Sequence, residues 1–267
     1  MIPIRRAPLP ADLALRMDAL TKEITDREVP ARLPHARTLW KRAAVRRDVH
    51  APLRELLRTM AAGLGCCMYC GHDLADQIDH HVPVVLAPVR AFCWFNHLLA
   101  CSPCNSRFKR DQHRQDALGN SLLLDPTRDD PFQHLHLTLD EGIYVDLSPR
   151  GRFTIDACGL NRDKRPEARQ RARRDIGHHI EGWWRAHRDG DIRRAADYLA
   201  AIRDQPFADV CQYMLRQAVH EAADVFFAAS PDILPLLRRP EVRRALLVPA
   251  VSSGGPAAPA AGADPAG

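Results

Sequence analysis

Long apolar runs are missing from this sequence: none approaches the roughly 20 residues that span a bilayer, so no membrane helix is expected. The opening Met-Ile-Pro-Ile-Arg-Arg runs into proline and a charged amphipathic stretch. The apolar core of a secretory leader is lacking there, and the expected compartment is the cytoplasm. No Gly-rich phosphate loop ending in Gly-Lys-Ser or Gly-Lys-Thr occurs, which excludes an ATPase of that kind within this chain. No repeat at a solenoid period occurs either. A strong charge imbalance is also absent. The net charge of +5 and pI near 8.9 suit a polyanionic partner without demanding one. Arginine far outnumbers lysine, a bias that genome composition explains as well as function does.

The 267 residues suffice for a real core in one or two domains. Residues 12–28 predict a helix with Leu13, Met17, Leu20 and Ile24 on one face. A second helical region is expected from Thr38 to Ala62, with Pro52 opening a new segment and Gly63 and Gly65 ending it. Residues 121–131 read as extended chain ending in turns. A β-hairpin follows: Leu135, Leu137 and Leu139 alternate, Asp140-Glu141-Gly142 turns, and Ile143, Val145 and Leu147 alternate back. Arg152 to Ala157 is expected to add a third short strand. Helical segments are predicted near 165–188, 191–204, 207–229 and 231–247, broken at Gly190, Pro206 and Pro231. From Pro249 the chain is Ala/Gly/Pro/Ser-rich and reads as a disordered tail.

Cysteine is the plentiful exception, and disulfides are rare in the cytoplasm. Cys67-Met-Tyr-Cys70 and Cys101-Ser-Pro-Cys104 are two Cys-x-x-Cys knuckles suited to a closed, structural tetrahedral zinc site. The competing reading is four small buried residues. Spacing favours Cys67 over Cys66, while Cys93, Cys158 and Cys211 read as core residues. Between the knuckles, Asp79-His80 stands at the end of an expected strand, followed by Asn96. Ser102 and Pro103 read as the N-cap and first residue of a helix carrying Asn105 and, one turn on, Lys109. Phosphodiester hydrolysis needs a base for water and a cation against the developing charge. His80 suits the base, because imidazole titrates near neutrality. Asp79 and the Asn105 amide oxygen are hard ligands for Mg²⁺ or Mn²⁺, and Asn96 is placed to orient the His80 ring. Arg90, Arg107, Lys109 and Arg110 are candidate phosphate contacts. A solvated helix face explains Arg107 and Arg110 equally well.

Asp79-His80-x-x-Pro83, then Asn96 five residues before Cys101-x-x-Cys104-Asn105-x-x-x-Lys109, resembles the HNH (ββα-metal) endonuclease family over about 45 residues. The resemblance implies metal binding by Asp79 and Asn105, general-base work by His80 and a structural Asn96. Two departures stand out. The loop Val82 to Leu86 is apolar where basic residues are common in the family, and His97 stands where leucine is usual. More loosely, Leu124-Asp125-Pro126-Thr127-Arg128-Asp129-Asp130-Pro131, the hairpin and Gly159-Leu160-Asn161-Arg162 are similar to bacterial HNH proteins grouped with the nuclease subunit of Septu-type antiphage defence. That similarity implies a separate ATPase or sensor subunit as partner.

The expected fold is α+β: a small zinc-stapled ββα-metal module plus β-hairpin, flanked by helices. Boundaries are expected at 1–62 (N-terminal helices), 63–160 (nuclease module and hairpin), 161–248 (C-terminal helices) and 249–267 (tail). The expected activity is cleavage of nucleic acid, DNA ahead of RNA, in defence or restriction. The rival is a non-catalytic zinc module that binds nucleic acid or protein. Asp125, Asp129 and Asp130 read as turn residues before a second acidic site. His81, His113, His134 and His136 read as structural or surface histidines, and Trp183-Trp184 as a pair sending one ring into the core.

Overall fold

Leu13, Met17 and Ile24 are buried along helix α1 (Ala11–Thr25), with Leu20 packed partly against the same core, so the predicted face is the one that docks. The structure is a computed structural model that describes residues 1–72 and 75–248. The tail expected from Pro249 lies outside the described residues. Helix α2 (Val29–Lys41) begins earlier than the sequence predicts. Pro30 sits in its first turn, where a missing N–H costs nothing. A wide π-helical turn, Arg46–His50, runs into α3 (Ala51–Met60), which Pro52 opens as expected.

Strands β1 (Gln77–His80) and β2 (His97–Ala100) form an antiparallel pair, with Asp79 opposite Leu98 and His80 opposite His97. Side chains alternate along a strand, so Asp79 and His80 leave opposite faces of this hairpin. A π-helical segment, Pro103–Lys109, follows the second knuckle. The predicted N-cap at Ser102 is corrected: Ser102 is itself helical and its side chain caps nothing. The knuckle backbone already closes that turn, the Asn105 N–H donating to Cys101 O at 3.0 Å.

The second hairpin, β3 (Leu135–Thr138) with β4 (Ile143–Asp146), stands where predicted, but the inward face of β4 differs. Tyr144 is buried, whereas Ile143, Val145 and Leu147 are exposed. The register explains this: Leu137 faces Tyr144, and residues directly opposite share a face. The expected third strand at Arg152 to Ala157 is instead helix α4 (Pro149–Cys158). The Ser148 hydroxyl accepts from the Gly151 N–H at 3.2 Å and Pro149 occupies the first turn, so a capping signal overrides the β-branched content. Helices α5 (Arg165–Arg188), α6 (Ile192–Asp204) and α7 (Ala208–Gln217) follow, then shorter helices as far as Leu246. Buried apolar side chains from Met1 to Leu246 form one cluster, and the two hairpins with their helices make an α+β fold.

Candidate metal centre and active site

The two knuckles converge. Sγ atoms of Cys67, Cys70, Cys101 and Cys104 all lie within 4.8 Å of one another, and all four residues are buried. Zinc–thiolate bonds of about 2.3 Å in a tetrahedron require sulfurs about 3.8 Å apart; Cys70 and Cys101 are separated by 3.8 Å. The thiols therefore fit a zinc ion, and Cys66 stays outside the quartet, as spacing predicts. Cys158 and Cys211 are core residues; burial pushes the Cys211 thiol up to about 12. Arg162 points Nη2 at this cluster, 3.3 Å from Cys104 Sγ.

One face of β1 carries Gln77 and Asp79. The Asp79 carboxylate is buried and both oxygens are engaged: Tyr69 Oη donates to Oδ2 at 2.6 Å and Lys109 Nζ to Oδ1 at 2.9 Å. Lys109 also donates to His80 O at 2.7 Å. The expected phosphate-contact role of Lys109 is thereby corrected, because its ammonium is fully buried against a carboxylate. The Asn105 amide donates to Gln77 Oε1 at 3.0 Å, where Ser106 Oγ also donates at 2.8 Å. Asn105 thus reaches β1 at Gln77, two residues before Asp79 and on the same face. The carboxylate, however, already holds one cation, and Mg²⁺ or Mn²⁺ would have to displace the ammonium. Asp79 is closed as it stands.

The opposite face carries His80. Its Nε2 lies 3.0 Å from Ala91 O; a carbonyl only accepts, so Nε2 bears the proton and Nδ1 the lone pair. Burial holds the ring's pKa below its ordinary 6.5, the Ala91 bond and Asp79 opposing this more weakly, so the ring is neutral at pH 7. Trp40 packs against it at 4.3 Å between ring centroids, and His97 at 5.1 Å. His97, the departure noted in the sequence, shares the same acceptor, Nε2 to Ala91 O at 2.9 Å, and its Nδ1 is buried without a partner. His50 packs against Trp40 with tilted rings at 4.0 Å between centroids, its Nε2 likewise buried and unpartnered, and burial drives its pKa down to about 4.

Asn96 does not reach the His80 ring, which corrects its expected role. Its Oδ1 accepts from Val82 N at 2.8 Å and its Nδ2 donates to Val82 O at 3.0 Å and Arg90 O at 3.2 Å. Asn96 therefore clamps the loop between the strands, and through Arg90 it fixes the neighbouring carbonyl of Ala91 that holds His80. The apolar loop after Pro83 is the stretch so clamped. Arg107 and Arg110 are exposed and Arg90 half-buried, so these three remain available to an anion.

Other expectations resolve simply. Asp125 accepts from Thr127 N, Asp130 from Phe132 N, and Asp129 pairs with Arg150, which is turn and anchor chemistry. His81 is buried with Nε2 on Leu123 O at 3.2 Å. Trp183 enters the core while Trp184 lies partly exposed beneath Arg239. Sequence reasoning missed Trp40, His50, Tyr69, Gln77 and Arg162. Tyr69 lies inside the first knuckle and Arg162 ends the segment Gly159-Leu160-Asn161-Arg162, but neither pattern assigns those side chains a role, and only tertiary packing brings in Trp40 and His50.

No protein-family profile and no solved structure matches the chain. The Septu protein PtuB of Bacillus mycoides (strain KBAB4) is 32% identical over 155 residues, which cover 46% of this chain and 52% of that protein. The chain thus spans about half the length of the curated relative that it matches, and what it is shown to be is a distant relative of a Septu protein.

Proposed function

We propose that this chain is the nuclease component of a bacterial antiphage defence system, hydrolysing phosphodiester bonds of DNA with His80 as general base. The observation that carries this reading is the state of the His80 ring. It is neutral, backed by Trp40, fixed by Nε2–H on Ala91 O and left with its lone pair on Nδ1. An imidazole so held takes a proton from water without reorienting. Exposed Arg107 and Arg110, with half-buried Arg90, hold the phosphate backbone without reading its sequence. Zinc at Cys67, Cys70, Cys101 and Cys104 holds the strands against the helix and does no chemistry. Similarity to the Septu protein supports the defence role, and a separate ATPase or sensor subunit is the proposed partner.

Asp79 and Asn105 are the residues that would hold Mg²⁺ or Mn²⁺, which supplies charge against the developing phosphorane when bound. The Lys109 ammonium on Asp79 must first give way. The same closure favours a second reading, in which the module binds nucleic acid or protein without cutting. Plasmid nicking by the full chain with Mg²⁺ or Mn²⁺, beside His80→Ala, separates the two. The nuclease reading expects nicking that His80→Ala abolishes with zinc content and fold kept. Equal behaviour of both proteins, or no nicking with the partner subunit present, supports the binding module.

A further inference from the structure

The segment Gly159-Leu160-Asn161-Arg162 is used by neither the base nor the phosphate contacts, yet it ends at the cysteines. We propose that Arg162 is the counter-ion of the four-cysteine zinc centre, donating N–H···S hydrogen bonds that hold the thiolates on the metal. This rests on the reading that zinc occupies those cysteines.

Arg162 Nη2 lies 3.3 Å from Cys104 Sγ, 3.8 Å from Cys101 Sγ and 4.0 Å from Cys70 Sγ. Nη1 donates to Cys158 O at 2.5 Å and Gly159 O at 2.8 Å, so the fork is fixed with its other nitrogen against sulfur. The side chain is only 5% exposed. Guanidinium stays protonated in proteins, and a buried cation demands an anion. The nearest carboxylate is Asp163, 3.9 Å from Nε and itself 67% exposed, while the remaining partners are neutral carbonyls. Four neutral thiols would leave Arg162 uncompensated. A divalent ion on four thiolates carries a net charge of two minus, and Arg162 halves it.

The rest of the segment places this side chain. Gly159 is left-handed (φ +55), and a Cβ there would stand 2.5 Å from the Phe108 ring, so only glycine lets Phe108 close in. Phe108 then covers the guanidinium at 4.8 Å. Asn161 pairs with the backbone of β4: Tyr144 N donates to its Oδ1 and its Nδ2 donates to Tyr144 O, both at 2.8 Å. Arg162 thus ties the start of α5 to the knuckles, 58 residues beyond Cys104.

The test starts with zinc stoichiometry of the purified full chain. A protein that neither carries nor takes up zinc removes the metal reading itself. On zinc-binding protein, ¹¹³Cd replacement reads the wild type directly: scalar coupling between ¹¹³Cd and the Arg162 guanidinium protons is expected, and its absence overturns the proposal. Zinc release to a chromogenic chelator at fixed pH should quicken at least about tenfold in Arg162→Gln, the range for loss of a residue that hydrogen-bonds a metal ligand. Arg162→Lys should recover part of that. In the Co²⁺ proteins the thiolate charge-transfer band should shift in both variants. A folded Arg162→Gln protein with wild-type release and bands overturns the proposal. If Arg162→Gln fails to fold, the cadmium coupling decides.

Discussion

Lys109 and Asp79 illustrate how one buried contact divides two readings of the same residues. An ammonium and a carboxylate taken out of water together tolerate each other only while paired. Lys109→Met should therefore destabilise the protein by about 3–5 kcal/mol, read by urea unfolding. If Asp79 and Asn105 are divalent-ion ligands, Mn²⁺ should raise the Tm of Lys109→Met by mass action while leaving the wild type nearly unmoved. A variant indifferent to Mn²⁺ would count against a cation site there. His50 sets a pH dependence of stability. Its folded pKa near 4 lies below the ordinary 6.5, so the unfolded chain binds the proton first as pH falls. Its contribution is fully present above about pH 6.5 and is lost progressively towards pH 4. Tm measured across that window should fall less steeply in His50→Gln than in the wild type.

At the scale of elements, the loop joining β1 to β2 depends on a side chain rather than on regular structure. Asn96 is fully buried and makes three hydrogen bonds to backbone groups of Val82 and Arg90. Removing it in Asn96→Ala leaves those groups unpaired inside the protein, a cost of about 2–4 kcal/mol. Urea denaturation should show that loss. If the proposed nuclease activity holds, cleavage should fall as well, because Ala91 O no longer holds the His80 ring in place. A merely surface asparagine would show neither. The π-helical turn Arg46–His50 plays a comparable part on the N-terminal side, where it brings His50 against Trp40.

Across the whole molecule, the four cysteines connect segments that are otherwise far apart in sequence: the knuckles themselves, β1–β2 between them and, through Arg162, the helices beyond residue 160. Few regular backbone bonds hold this region, since each of its strands has four residues. If zinc occupies the four thiols as proposed, extracting it with a chelator should therefore cost several kcal/mol and open residues 63–160 to protease. Limited proteolysis of the metal-free and reloaded protein checks this. Unchanged resistance would mean that packing alone holds the knuckles.

Much of the scaffold was legible without the structure, because local rules decide it. Helical periodicity located α1, α5, α6 and the start of α7, Gly190 and Pro206 marked the breaks between the last three, and Cys-x-x-Cys spacing selected the four converging thiols; the helices expected over 207–229 and 231–247 are instead each broken into shorter ones. Local rules also went wrong where two of them competed. The β-branched stretch at Arg152 to Ala157 suggested a strand, but Ser148 and Pro149 cap a helix. Alternation on β4 pointed Ile143 and Val145 inward, but pairing of Leu137 with Tyr144 turned them out. Within the site, sequence spacing put Asp79 and His80 on a strand and Asn105 on the segment after the second knuckle, and the structure has both elements. Spacing could not say that Lys109 neutralises Asp79, or that Asn96 holds a loop instead of an imidazole. Those facts, like the meeting of Trp40, His50 and His97 around His80 and of Arg162 with the thiols, depend on contacts between residues tens of positions apart. Periodicity and spacing report the neighbours of a residue along the chain, whereas burial, charge pairing and tautomer are set by what the fold packs against it.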